Sequence, residues 1–177
     1  MSMTGNLKQI TPQLLSRLLN NNPLALKVLY PELYSPQDAI ENLSPAFSSE
    51  EDIPKLDLGP DFYIIHLLLT TSEEDQGEAS SAFAIFGKTP LGEISDYGPL
   101  AQYLTPEEVK EIASDLITIP KESLKEKYNS THQTFEDYSF DELQESELDV
   151  LLQIYERIVD YYKVASEKGN SMLCWIT

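Results

Sequence analysis

His66 is the side chain whose type and setting best suit chemistry. It sits inside the longest apolar run of the chain, Phe62 to Leu69, where burial would lower its pKa and leave a neutral imidazole able to take a proton. Glu93 or Asp96 could orient that imidazole if the intervening chain folds over it, and Tyr97 and Tyr103, flanking Gly98-Pro99, would line a pocket beside it. The simpler reading is a core histidine that donates one hydrogen bond to backbone. His132 stands four residues before Glu136, with Asp137 adjacent, a spacing that could hold a metal on a helix. Asn129-Ser130-Thr131 argues for loop there, so the three residues read as solvated surface and no metal is assigned. Cys174, between Leu173 and Trp175, reads as a small buried hydrophobe. With no Gly-rich phosphate loop, metal-spaced Cys/His cluster or nucleophile elbow in the sequence, no cofactor is expected and catalysis is the minor reading.

Charge speaks to partners. Twelve Lys and Arg against thirty Asp and Glu give a net charge of −18, which excludes the cation-rich surface that nucleic acid requires. The excess is local: residues 50 to 78 hold nine acids and one base, residues 131 to 177 ten acids and three bases, while residues 1 to 49 balance at three and three. Such a surface can draw in a basic protein, although solubility alone also accounts for it. A single cysteine rules out an intrachain disulfide. The start lacks a basic stretch followed by an apolar one, and the longest apolar run is eight residues and contains His66, so neither signal peptide nor membrane span is expected and the cytosol is the expected location.

The elements that must position these residues are unevenly legible. From Leu148 the residues Leu151, Leu152, Tyr155, Ile158, Val159, Tyr162 and Ala165 recur at helical steps, with Asp141, Glu142, Glu145 and Glu147 at the start and Lys163 and Lys168 at the end, matching the helix dipole. Aromatics at that spacing read as core rather than a ligand wall. After Gly169, Ser171 to Thr177 puts Met172, Cys174 and Ile176 on one face and Leu173 and Trp175 on the other, which predicts an interior strand. Thr105-Pro106-Glu107-Glu108 predicts a capped helix over residues 106–118. Thr11-Pro12, Asn22-Pro23 and Ser35-Pro36 each predict a helix start, and residues 2–8 a first strand. Asp61 to Thr70 reads as a helix, with Pro60 at its head. Residues 44–60 and 71–81 read as loops, 89–104 as irregular chain with a short strand over 94–97, and 120–128 as a helix of one or two turns before a loop to Ser139.

Asp96-Tyr97-Gly98-Pro99, the block Tyr103-Leu104-Thr105-Pro106-Glu107-Glu108-Val109 and the ending Glu167-Lys168-Gly169-Asn170 resemble the YfbM-like family of bacterial proteins. The early Thr11-Pro12 helix, His66-Leu67-Leu68-Leu69-Thr70 and Ala84-Ile85-Phe86-Gly87 fall in the family's order, so the resemblance runs end to end. It implies a single α/β domain over residues 1–177, with helices on a central sheet, and no activity. Gly59-Pro60-Asp61-Phe62 stands where the family usually has a Trp, and Gln102 where an Arg is frequent.

The expectation is therefore one α/β domain with a central mixed sheet, a long C-terminal helix and a buried C-terminal strand. Its leading function is a non-catalytic binding module that offers a basic protein an acidic surface, centred on residues 50–78 or on residues 134–149 with Asp141, Glu142, Glu145 and Glu147, an antagonist or immunity-type role. The alternative is a small-molecule binder or enzyme built on His66, Tyr97, Gly98, Pro99 and Tyr103. No nucleic-acid or membrane partner is expected.

Overall fold

The computed structural model describes residues 3–30, 53–70, 79–95, 98–135 and 145–177. Strand β1 (Gly5–Ile10) ends at Thr11, whose side chain accepts the Leu14 N–H at 3.2 Å, and Pro12 then opens α1 (Pro12–Leu18). The device recurs one residue earlier than expected at α2 (Asn22–Leu29): Asn21, not Asn22, is the cap, accepting from the Leu24 N–H at 3.1 Å. The helix expected from Ser35 lies outside the described residues. A two-residue strand, β2 (Leu56–Asp57), falls in the expected loop, and α3 (Phe62–Thr70) follows as read. A 3₁₀ turn (Ser80–Phe83) closes at Gly87, whose φ of +74° lies in the left-handed region.

Residues 89–104 correct the sequence reading. Instead of irregular chain they form a hairpin, β3 (Thr89–Ser95) and β4 (Gly98–Leu104), with a register shift between Leu91 and Ile94 where Gly92 takes φ +82°. That bulge breaks the two-residue alternation by which a strand is recognised. The capping box at Thr105 is complete: the Thr105 hydroxyl accepts from the Glu108 N–H at 3.3 Å and the Glu108 carboxylate from the Thr105 N–H at 2.9 Å, starting α4 (Pro106–Thr118). Next, α5 (Lys121–Phe135) runs through Asn129-Ser130-Thr131, where a loop was expected. Packing of Leu124 and Tyr128 into the core outweighs the weak helix preference of that triplet. The long helix α6 is described over Glu145–Lys168 and ends in a Schellman arrangement, with the Gly169 N–H on the Ser166 carbonyl and the Asn170 N–H on the Ala165 carbonyl.

Strand β5 (Ser171–Ile176) then enters the middle of the sheet, in the order β2-β1-β5-β4-β3. Every pairing is antiparallel, where a mixed sheet was expected, because apolar alternation fixes faces and not strand direction. One face, with Leu7, Leu104, Met172 and Cys174, packs under α3, α4, α5 and α6; the other, with Ile10, Leu91, Ala101, Leu173 and Trp175, packs under α1 and α2. The expected interior strand is thus found, buried from Ser171 through Trp175.

A Cβ on Gly87 would stand 2.9 Å from the Gln102 Cβ, whereas one on Gly59, also at positive φ (+67°), would meet nothing within 4 Å. Gly59→Ala should cost about 1–2 kcal/mol of backbone strain, and Gly87→Ala about 2–4 kcal/mol because overpacking adds to that strain. Urea unfolding of both variants checks this; equal losses would contradict the packing account.

Candidate functional site

His66 is half-buried on α3 and faces the 80–87 turn. The Phe86 ring meets its imidazole edge-on at 4.5 Å and 82°, and Tyr63, one turn earlier on α3, lies 6.3 Å away. The Ala82 backbone lies near the ring and favours its proton, while Nδ1 is buried with no hydrogen-bond partner. Burial lowers the pKa, partly offset by the Ala82 carbonyl, so the imidazole is neutral at pH 7. The expected electrostatics are present, in a setting that joins two backbone segments.

The pocket imagined around it does not assemble from the described residues. Tyr103 pairs with Leu173 and packs on the α1 and α2 face of the sheet, whereas α3 and the turn carrying Phe86 cover the opposite face, so the sheet separates Tyr103 from His66. Sequence alternation could place Tyr103 on a face but not say which helices cover it. Gly98 and Pro99 begin β4, and Tyr97 and Asp96 lie outside the described residues. A small apolar gap of about 10 Å³ lies elsewhere, between α3, α5 and α6, lined by Leu68, Leu69, Leu124, Leu151, Leu152, Tyr155 and Ile65. It holds room for about one water and offers that water almost nothing polar.

The tyrosines of α6 act as fasteners. Tyr155 donates to the Leu116 carbonyl and Tyr162 to the Ala84 carbonyl, each at 2.7 Å and buried. Tyr161 accepts the Gln9 N–H and donates to the Pro54 carbonyl, both at 3.0 Å, which ties the outer edge of β1 to the strand's neighbouring chain. Burial raises all three phenols, Tyr155 to about 12. Cys174 is buried among them and its thiol is pushed up to about 12, so the thiolate needed for nucleophilic work does not form near neutrality.

The acidic residues divide. Asp141 and Glu142 lie outside the described residues, and Glu145 and Glu147 stand in the first turn of α6. Further along α6, Asp149, Glu156, Asp160 and Glu167 are exposed at steps of seven, four and seven, which places them in one line opposite the buried Leu151, Ile158, Tyr162 and Ala165. The sequence reading missed this line although its spacing was legible. Glu156 pairs with Lys121 of α5. His132 is on α5, while Glu136 and Asp137 lie outside the described residues, and among the described residues no three His, Cys, Asp or Glu stand together as metal ligands. No helix among them is long and apolar enough to cross a membrane.

The family described as a domain of unknown function, DUF1877, matches over residues 1–175. The chain is similar in fold to a solved structure titled as a protein of unknown function, YfbM from Escherichia coli, at a TM-score of 0.64 and 14% identity, covering 98% of this chain and 99% of that one. No curated protein matches in sequence. The end-to-end resemblance expected from the motifs therefore holds, and at this identity the structural likeness speaks for fold alone.

Cys174 supplies a test of the buried face. Its folded-state pKa lies above the ordinary 9.0, so the stability it contributes is present below about pH 9 and is lost as pH rises toward about 12. The folded protein should leave a thiol reagent unreacted at pH 8 and titrate fully in denaturant. Cys174→Ala should flatten the loss of stability above pH 9, and rapid labelling of the native chain would contradict this placement.

Proposed function

We propose that this chain, which belongs to the DUF1877 family of domains of unknown function, works as a binding module whose acidic surface meets a basic protein. The observation that carries the reading is charge: a net −18, with Asp149, Glu156, Asp160 and Glu167 in line on the solvent side of α6 and Glu145 and Glu147 in its first turn. A surface of one sign steers a partner of the other during encounter and repels like-charged competitors. An antagonist or immunity-type role in the cytosol suits such steering, since fast capture of a basic target is what it requires. The pocket reading loses support because the sheet stands between His66 and Tyr103.

Capture from a lysate of the source organism at low salt, eluted by rising salt, should yield one stoichiometric basic protein. With that partner in hand, converting Glu142, Glu145 and Glu147 together to Gln should slow association several-fold at low ionic strength, and the difference should shrink as salt is added. An unchanged association rate would sink the assignment of this surface.

A further inference from the structure

We propose that His66 is an acid-sensitive latch that holds the 80–87 turn against α3. Two neighbours make the closed state: the Phe86 ring, in a T-shaped pair with the imidazole at 4.5 Å and 82°, and the Ala82 backbone, near enough to favour the imidazole's proton. The second ring nitrogen, Nδ1, is buried without a partner. As a lone-pair acceptor that atom is tolerated there; as the N–H of an imidazolium it would be a charged donor with no acceptor, a state that burial strongly disfavours. Protonation is met at lower cost by turning the ring out to water, which releases Ala82 and Phe86 together.

Among the described residues no carboxylate pairs with the imidazole. On the approach to α3 stands Asp61, whose own carboxyl burial shifts toward the neutral form, and beside the ring lies Tyr63. From the turn comes Lys88, its ammonium 5.4 Å from the Phe83 ring centre and 3.3 Å from the Glu108 carboxylate of α4. From α6 comes Tyr162, whose hydroxyl is committed to the Ala84 carbonyl. Burial and the Ala82 carbonyl are the influences on the imidazole's proton affinity, and burial is the larger. The sign follows: the latch is fully closed above the ordinary imidazole value of 6.5 and weakens as pH falls below it. Opening would bare the Phe62 and Phe86 rings, which now meet edge-on at 5.9 Å.

The test is amide hydrogen exchange of the full chain between pH 7.5 and 5, corrected for intrinsic rates, read at Ala84 and Gly87, whose N–H groups bond the Ser81 and Phe83 carbonyls. Their protection should fall by up to roughly tenfold per pH unit, the slope of one coupled proton, while amides of β5 stay protected. The fall should begin near 6.5 and level off where the His66 C2–H signal of the same protein titrates in NMR, below that value. In His66→Gln, which can still donate to Ala82 and does not titrate, protection of the turn should be independent of pH over this range. Constant protection in the native chain, a His66 titration at or above the ordinary 6.5, or the same pH dependence in His66→Gln would each overturn the latch.

Discussion

Everything in this fold hangs on a strand that arrives last. Among the described residues β5 alone joins the β2-β1 pair to the β4-β3 hairpin in the sheet, and its successive side chains feed two separate cores: Met172 and Cys174 into one, Leu173 and Trp175 into the other. The constraint is geometric. An interior strand must be satisfied on two edges and apolar on two faces at once, and Ser171 to Trp175 meet all four demands. β1 pairs with it along its whole length, from Gly5 opposite Ile176 to Ile10 opposite Ser171, so residues separated by most of the chain must meet before either core can close. Such non-local pairing adds loop-closure cost ahead of any burial, which makes folding slow relative to a helical bundle of the same size. The long helix α6, ended by Gly169, delivers β5 into that slot, and its tyrosines pin the surrounding backbone from above.

The parts of this arrangement that the sequence disclosed were those with a local chemical signature. Thr105, Pro106 and Glu108 state a helix start in four residues, and the apolar residues on both faces of Ser171–Ile176 state an interior strand. The hairpin was hidden because Pro90, Gly92, Gly98 and Pro99 are loop-forming residues that here lie in the two paired strands and their bulge, and their local tendencies conceal the pairing. β2 is too short to have a period. The extension of α5 through Asn129-Ser130-Thr131 is a tertiary effect, driven by burying Leu124 and Tyr128, and weak local propensity could not announce it. His66 and Tyr103 illustrate the same gap at the site: they were read as neighbours lining one pocket, and only the topology puts the sheet between them.

Function divides along the same line between interior and surface. Among the described residues, His66 stands between α3 and a turn, Cys174 packs under α6, and the phenols of Tyr155, Tyr161 and Tyr162 are spent on backbone carbonyls. The outward side chains of α6 include the acidic line Asp149, Glu156, Asp160 and Glu167, with Arg157, Lys163 and Lys168 exposed among them.

The claim that β5 joins both cores into one cooperative unit is tested most directly by native-state hydrogen exchange in rising urea, comparing amides of β1 with those of β4. The account predicts that the slowest amides of the two strands converge on a single opening free energy and a single urea dependence, and that Leu173→Asp, which damages one face only, lowers both together. If β1 and β4 keep separate opening energies, or Leu173→Asp melts the α1 and α2 side while the α4 and α6 side retains native protection, β5 does not unite the domain and the account fails.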